Sequence, residues 1–115
     1  MSQLQKLGID PEEGLACCAD DPEFYEEMLD EYTEEAAARL ADLEECYQKE
    51  NWSRYGILAH TVKSTSRMIG AREFSETARE IEMAAKEDAG DMIKARHEQF
   101  MTKYRALVKG IKDRS

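Results

Sequence analysis

The sequence predicts an all-α fold, an up-down-up-down antiparallel four-helix bundle with a short additional N-terminal helix, and three observations carry that expectation. Apolar residues recur at three- and four-residue intervals through four long segments. No segment has the period-two alternation of a strand. The two prolines, Pro11 and Pro22, each follow an aspartate, which places a helix-opening proline behind an N-cap. At 115 residues the chain has the size of one domain, and residues 1–115 are taken as a single unit with no linker or repeat. Charged residues make up 36% of it, well above the roughly 25% of an average globular protein, so the elements should be thin and present large solvated faces.

Asp10 and Pro11 open the short first helix, which runs to about Cys18, with Glu13 three residues on placed to close a capping box. Asp21 and Pro22 open a helix of about seven turns whose inner face carries Tyr25, Met28, Leu29, Tyr32, Ala36, Leu40, Leu43 and Tyr47. Asn51 caps the next, with Tyr55, Leu58, Ala59, Val62, Thr65 and Ile69 facing inward and Gly70 ending it. A further helix turns Phe74, Thr77, Ala78, Ile81, Ala84 and Ala85 inward and stops near Asp88, Ala89 and Gly90. The last begins at about Asp91 and carries Ile93, His97, Phe100, Tyr104, Leu107, Val108 and Ile111.

Composition removes several classes of function. The net charge of −9 opposes nucleic-acid binding, which depends on neutralising phosphates with Lys and Arg. The acid is concentrated: residues 1–50 hold 3 basic and 16 acidic side chains, and residues 51–115 hold 13 basic and 9 acidic. An acidic solvated helix face is the expected reading of the first half, with a role in steering a partner as the alternative. Cys17 and Cys18 are adjacent and Cys46 stands alone, so neither a disulfide framework nor a C-x-x-C zinc site is expected, and a reducing cytoplasm fits. There is no signal-peptide pattern and no apolar run of membrane-spanning length, so a soluble, unprocessed, cytoplasmic protein is expected, without membrane or nucleic-acid partners. Met1 and the compact length favour a free-standing protein over a module of a larger kinase, and nothing demands more than a monomer.

The two histidines occupy opposite positions. At about 100° per residue, His60 lies across the helix from Leu58, Val62, Thr65 and Ile69 and points away from the core. Ser53, Gly56, Lys63, Ser64 and Arg67 fall within about 60° of it, flanked by Ile57 and Met68. His97 lies on the apolar stripe of the last helix, the place of a packed histidine. A solvated imidazole, with a reference pKa near 6.5, keeps a free lone pair near neutral pH and can attack phosphorus unaided. Small neighbours leave room for another protein's active site, Lys63 one turn on can stabilise transferring oxygens, and Arg67 can meet an acidic partner surface.

The stretch Ala59-His60-Thr61-Val62-Lys63-Ser64-Thr65-Ser66-Arg67-Met68-Ile69-Gly70-Ala71 resembles the signature of the histidine-containing phosphotransfer (HPt) family, roughly A-H-x-hydrophobic-K-G followed by small residues and I-G-A. Gly8-Ile9-Asp10, the Asp21-Pro22-Glu23-Phe24-Tyr25 helix start and Ile81-Glu82 extend the likeness over nearly the whole chain. The resemblance implies a four-helix bundle acting as a phosphorelay intermediate of a two-component system, with His60 as phosphoacceptor and Lys63 as the stabilising cation. It also implies a hydrogen bond from the imidazole to Glu82, nearby positive charge from Lys86, and docking through Gly56, Ile57, Ser64, Arg67, Met68 and Lys86. Glu82 sits at the edge of its helix's apolar stripe, where a plain surface glutamate is the alternative. The implied partners are response-regulator receiver domains or a hybrid histidine kinase, with Mg²⁺ on the receiver and no cofactor or metal on this chain. Ser64 replaces the glycine usual after the lysine, and Arg67 stands where a small residue is common, which bears on receiver choice more than on transfer.

Three rival functions are weaker. A histidine kinase needs a nucleotide-binding domain with Gly-rich loops, for which this chain has neither length nor motif, so no kinase or ATPase activity is expected. A non-catalytic helical adaptor would leave the conjunction of His60, Lys63, Ser64, Gly70 and Ala71 unused. Metal binding through His60 and His97 lacks ligand clustering.

Overall fold

The structure, a computed structural model, describes residues 2–114, with side-chain placement from Leu4 onward; Met1 and Ser115, part of the expected 1–115 unit, lie outside the described residues. It is all-α. Two short helices, α1 (Ser2–Lys6) and α2 (Pro11–Cys17), precede four long ones: α3 (Pro22–Gln48), α4 (Trp52–Met68), α5 (Arg72–Lys86) and α6 (Gly90–Lys112). The long helices pack as a square in chain order, α3 on α4, α4 on α5, α5 on α6 and α6 back on α3, with α4 and α5 the closest pair. Short connections between consecutive long helices make neighbours antiparallel.

The expected starts hold at the capping residues. Asp10 accepts from the Glu12 amide at 3.0 Å, Asp21 from the Glu23 amide at 3.0 Å, and Asn51 from the Arg54 amide at 3.3 Å. The capping box at Glu13 does not form, because that carboxylate turns instead to Arg72 at 3.3 Å, where α5 begins. Gly70 ends α4 in the left-handed region (φ +88), where its amide bonds the Arg67 carbonyl and that of Ala71 bonds Ser66, the Schellman pattern. Gly90 is the first residue of α6 rather than a stop signal, and α1 adds a helix that the periodicity does not predict.

The core corrects a few inward assignments. Leu58 and Thr65 are only half-buried, whereas Ser66 is sealed in the interior, with its hydroxyl 2.7 Å from that of Tyr32. Thr77 is half-buried while Ser75 goes inside and donates to the Lys63 carbonyl at 2.9 Å, binding α5 to the middle of α4. That clasp sets the α5 surface against the His60 side of α4.

Candidate functional site

α4 and α5 approach closely because Gly56 faces Ala85: a Cβ added to Gly56 would stand 2.9 Å from the Ala85 methyl group. Gly56, expected on the outward face, is therefore buried, since its side of the wheel is covered by α5. The consequence is that Glu82, one turn before Ala85, reaches across to α4. It is 3% exposed, so the surface-glutamate alternative does not hold.

A carboxylate in that position is costly to desolvate and requires partners. It has three. Oε1 accepts from Lys63 Nζ at 2.9 Å, and Oε2 lies 2.8 Å from His60 Nδ1 and 3.2 Å from Lys86 Nζ. Burial alone would raise the Glu82 pKa, but the hydrogen bonds from Lys63, His60 and Lys86 outweigh it and hold the carboxyl at about 2. Glu82 is thus ionised at neutral pH and can only accept, which assigns the proton to Nδ1 of His60. The neutral ring then carries its lone pair on Nε2, which makes no hydrogen bond among the described residues. The His60 side chain is 56% exposed.

Lys63 is half-buried and held by Glu82, and its ammonium keeps two further protons for incoming oxygens. Lys86 is exposed. Beside His60 lies a groove of about 570 Å³ bordered by Trp52, Ser53, Gly56, Ile57, His60, Glu82, Ala85, Lys86 and Asp88. Ile57 is 65% exposed on its rim, and Gly56 contributes floor rather than docking surface. On the other side of α4, Met68 borders a smaller groove with Met28, Tyr32 and Thr65. Ser64 is half-buried and Arg67 exposed. Trp52, Ala85 and Asp88 are site residues that the sequence pattern does not single out. A signal for two of them is present, since Trp52 lies one turn before Gly56 and Ala85 one turn after Glu82.

His97 is fully buried. Its Nδ1 lies 2.7 Å from the Tyr55 hydroxyl, its Nε2 3.1 Å from Glu44 Oε1, and its ring stacks on Tyr47 at 3.7 Å. Hydrogen bonds from Gln48 and His97 lower the Glu44 pKa, while burial pushes the Tyr55 phenol up. Glu44 therefore accepts a hydrogen bond from the Nε2–H of His97, and the Tyr55 hydroxyl donates to Nδ1. Both ring nitrogens of His97 are thus occupied, and the described residues contain no group of three or more His, Cys, Asp or Glu able to hold a metal. No helix among them is long and apolar enough to cross a membrane.

No curated protein and no solved structure matches the chain. The family model for the Hpt domain matches residues 27–111, which include His60, Lys63, Glu82 and Lys86 and extend through all four long helices. The chain belongs to the Hpt domain family.

Proposed function

We propose that the chain is a phosphorelay intermediate that carries a phosphoryl group reversibly on His60, between the aspartyl phosphates of receiver domains. Family membership supplies the coarser part, because Hpt domains serve histidine phosphotransfer in two-component signalling as carriers, not kinases. One observation carries the rest: an exposed imidazole whose Nδ1 is held at 2.8 Å by a buried carboxylate has Nε2 left as its nucleophile. An adaptor with an incidental histidine gains nothing from burying Glu82 beneath three cationic or imidazole donors.

Nε2 attacks phosphorus in line with the acyl oxygen. The N–P bond forms as the P–O bond to the receiver aspartate breaks, and the carboxylate leaves with the electron pair. Nδ1 keeps its proton throughout, so the phosphorylated ring is a cation beside the Glu82 anion, and no general base is needed. Return is the reverse: an aspartate oxygen attacks, the N–P bond breaks, and its electron pair goes back to Nε2. Lys63, with Lys86 beyond it, stabilises the equatorial oxygens. Mg²⁺ belongs to the receiver's acidic pocket, since Glu82, the carboxylate bonded to His60, is already saturated by its own partners. Receiver domains of response regulators, or of a hybrid histidine kinase, are the partners, met by a monomer in the cytoplasm.

The test is to mix the protein with a receiver domain phosphorylated on aspartate in the presence of Mg²⁺. An acid-labile, alkali-stable phosphoprotein should form, and His60→Gln should remain unlabelled while keeping its helicity. Label persisting in His60→Gln would overturn the assignment. Chelating Mg²⁺ should stop transfer from the receiver without unfolding this chain.

A further inference from the structure

The face that holds His60 differs at its two ends, and this difference bears on the orientation of whatever docks there. Toward the start of α4 the surface is apolar: Ile57, one turn before His60, stands 65% exposed on the rim of the groove walled by Trp52 and Ala85. Toward the end it is cationic. Arg67 lies seven residues beyond His60 and about 20° from it around the helix, an axial separation of about 10 Å. The chain has 25 acidic side chains, yet Arg67 and Arg105 are the arginines with no carboxylate at ion-pair distance among the described residues. Arg67 remains unpaired although Glu31 and Glu35 line the groove immediately beside its neighbour Met68. Its place in the last turn of α4 gives it a favourable contact with the helix dipole. That contact needs no freedom from carboxylates and no position in line with His60.

Resting on the function proposed above, we infer that α4 is a polarised docking face that fixes the orientation and choice of receiver. The receiver's surface places an apolar side chain against Ile57 and a carboxylate against Arg67, about 10 Å from the phosphorylated aspartate along the α4 axis. A receiver docked the other way round would bring its carboxylate to the Trp52–Ile57 groove, where Lys86 is already paired with Glu82 and Asp88 supplies negative charge. Arg67 is thus a specificity determinant that acts on encounter and docking, while the chemistry remains with His60, Lys63 and Glu82.

The experiment uses two donors. One is the receiver domain that labels the wild-type chain fastest in a panel of aspartate-phosphorylated receivers. The other is phosphoramidate, which has no docking surface and transfers its phosphoryl group with loss of ammonia. For Arg67→Glu, the receiver KM should rise tenfold or more relative to any change in labelling by phosphoramidate, and the difference should shrink in 0.5 M salt. For Ile57→Ser, the receiver KM should rise several-fold and keep that rise in high salt. Arg67→Lys should recover most of the loss, and thermal unfolding of each variant shows that the bundle is intact. A receiver KM for Arg67→Glu matching wild type, or a rise insensitive to salt, overturns the inference and leaves the phosphorelay function standing. Failure of both donors to label wild-type His60 overturns the function, and this inference with it.

Discussion

The two histidines have the same first requirement met in opposite settings. Each has one ring nitrogen on a carboxylate, His60 on Glu82 at 2.8 Å and His97 on Glu44 at 3.1 Å. They differ at the other nitrogen. In His97 the Tyr55 hydroxyl fills it at 2.7 Å, with Tyr47 stacked on the ring, and the residue is sealed within the bundle. In His60 the second nitrogen has no hydrogen-bond partner among the described residues, the side chain is exposed, and the buried member is the carboxylate instead. A carboxylate partner thus fixes a tautomer in both places, and only the nitrogen left open distinguishes a reactive imidazole from a structural one.

The largest contrast is expected in stability. His97→Ala removes a fully buried ring and strands the Tyr55 hydroxyl, so urea unfolding should show a loss of about 2–4 kcal/mol. His60→Ala should stay within about 1 kcal/mol of wild type, because Glu82 keeps both lysines. Equal losses would mean that the two sites are the same kind of structure.

The carboxylates sharpen the comparison next. Glu82→Ala should slow transfer from a phosphorylated receiver by about ten- to hundredfold, the usual cost of losing an orienting partner, with Glu82→Gln losing less because it still accepts a bond. Glu44→Ala should leave the transfer rate close to wild type, and its effect should appear in unfolding instead.

Acid provides a third contrast. The Glu82 carboxyl sits at about 2 in the folded protein, below its ordinary 4.5, so the unfolded chain binds its proton first as pH falls. The stability it confers is complete above about pH 5 and is lost as pH drops toward about 2, a window that the Glu82→Gln variant should flatten. An unchanged acid slope in that variant would show that the pairing of Glu82 contributes nothing. The smallest effect is expected for Lys86→Ala, whose exposed ammonium should slow transfer a few-fold and leave stability within about 0.5 kcal/mol.

What was legible in the sequence followed local rules. Asp10, Asp21 and Asn51 announced helix starts, Gly70 announced an end, and the rotation of His60 away from Val62 was visible from spacing alone. The ends of α3 and α5 carried weaker marks, because Glu50 and Asp88, each at φ 54, occupy the left-handed position that glycine ordinarily signals. α1 was hidden because five residues carry too little pattern, and its place depends on Leu4 being buried by the rest of the chain. The burial of Glu82 was equally unreadable from its own helix. It depends on Gly56 and Ala85 drawing two helices together and on donors from α4, all of them contacts distant in sequence. The same holds for the hydroxyl of Tyr55, 42 residues from the ring it closes.

The central claim is that Glu82 holds the Nδ1 proton of His60 and thereby makes Nε2 the phosphorylated atom. Phosphorus and ¹⁵N-imidazole NMR of the phosphorylated protein tests it directly. The expected spectrum has phosphorus coupled to Nε2 of His60 with Nδ1 still protonated; phosphorus on Nδ1, or on any residue other than His60, would contradict it.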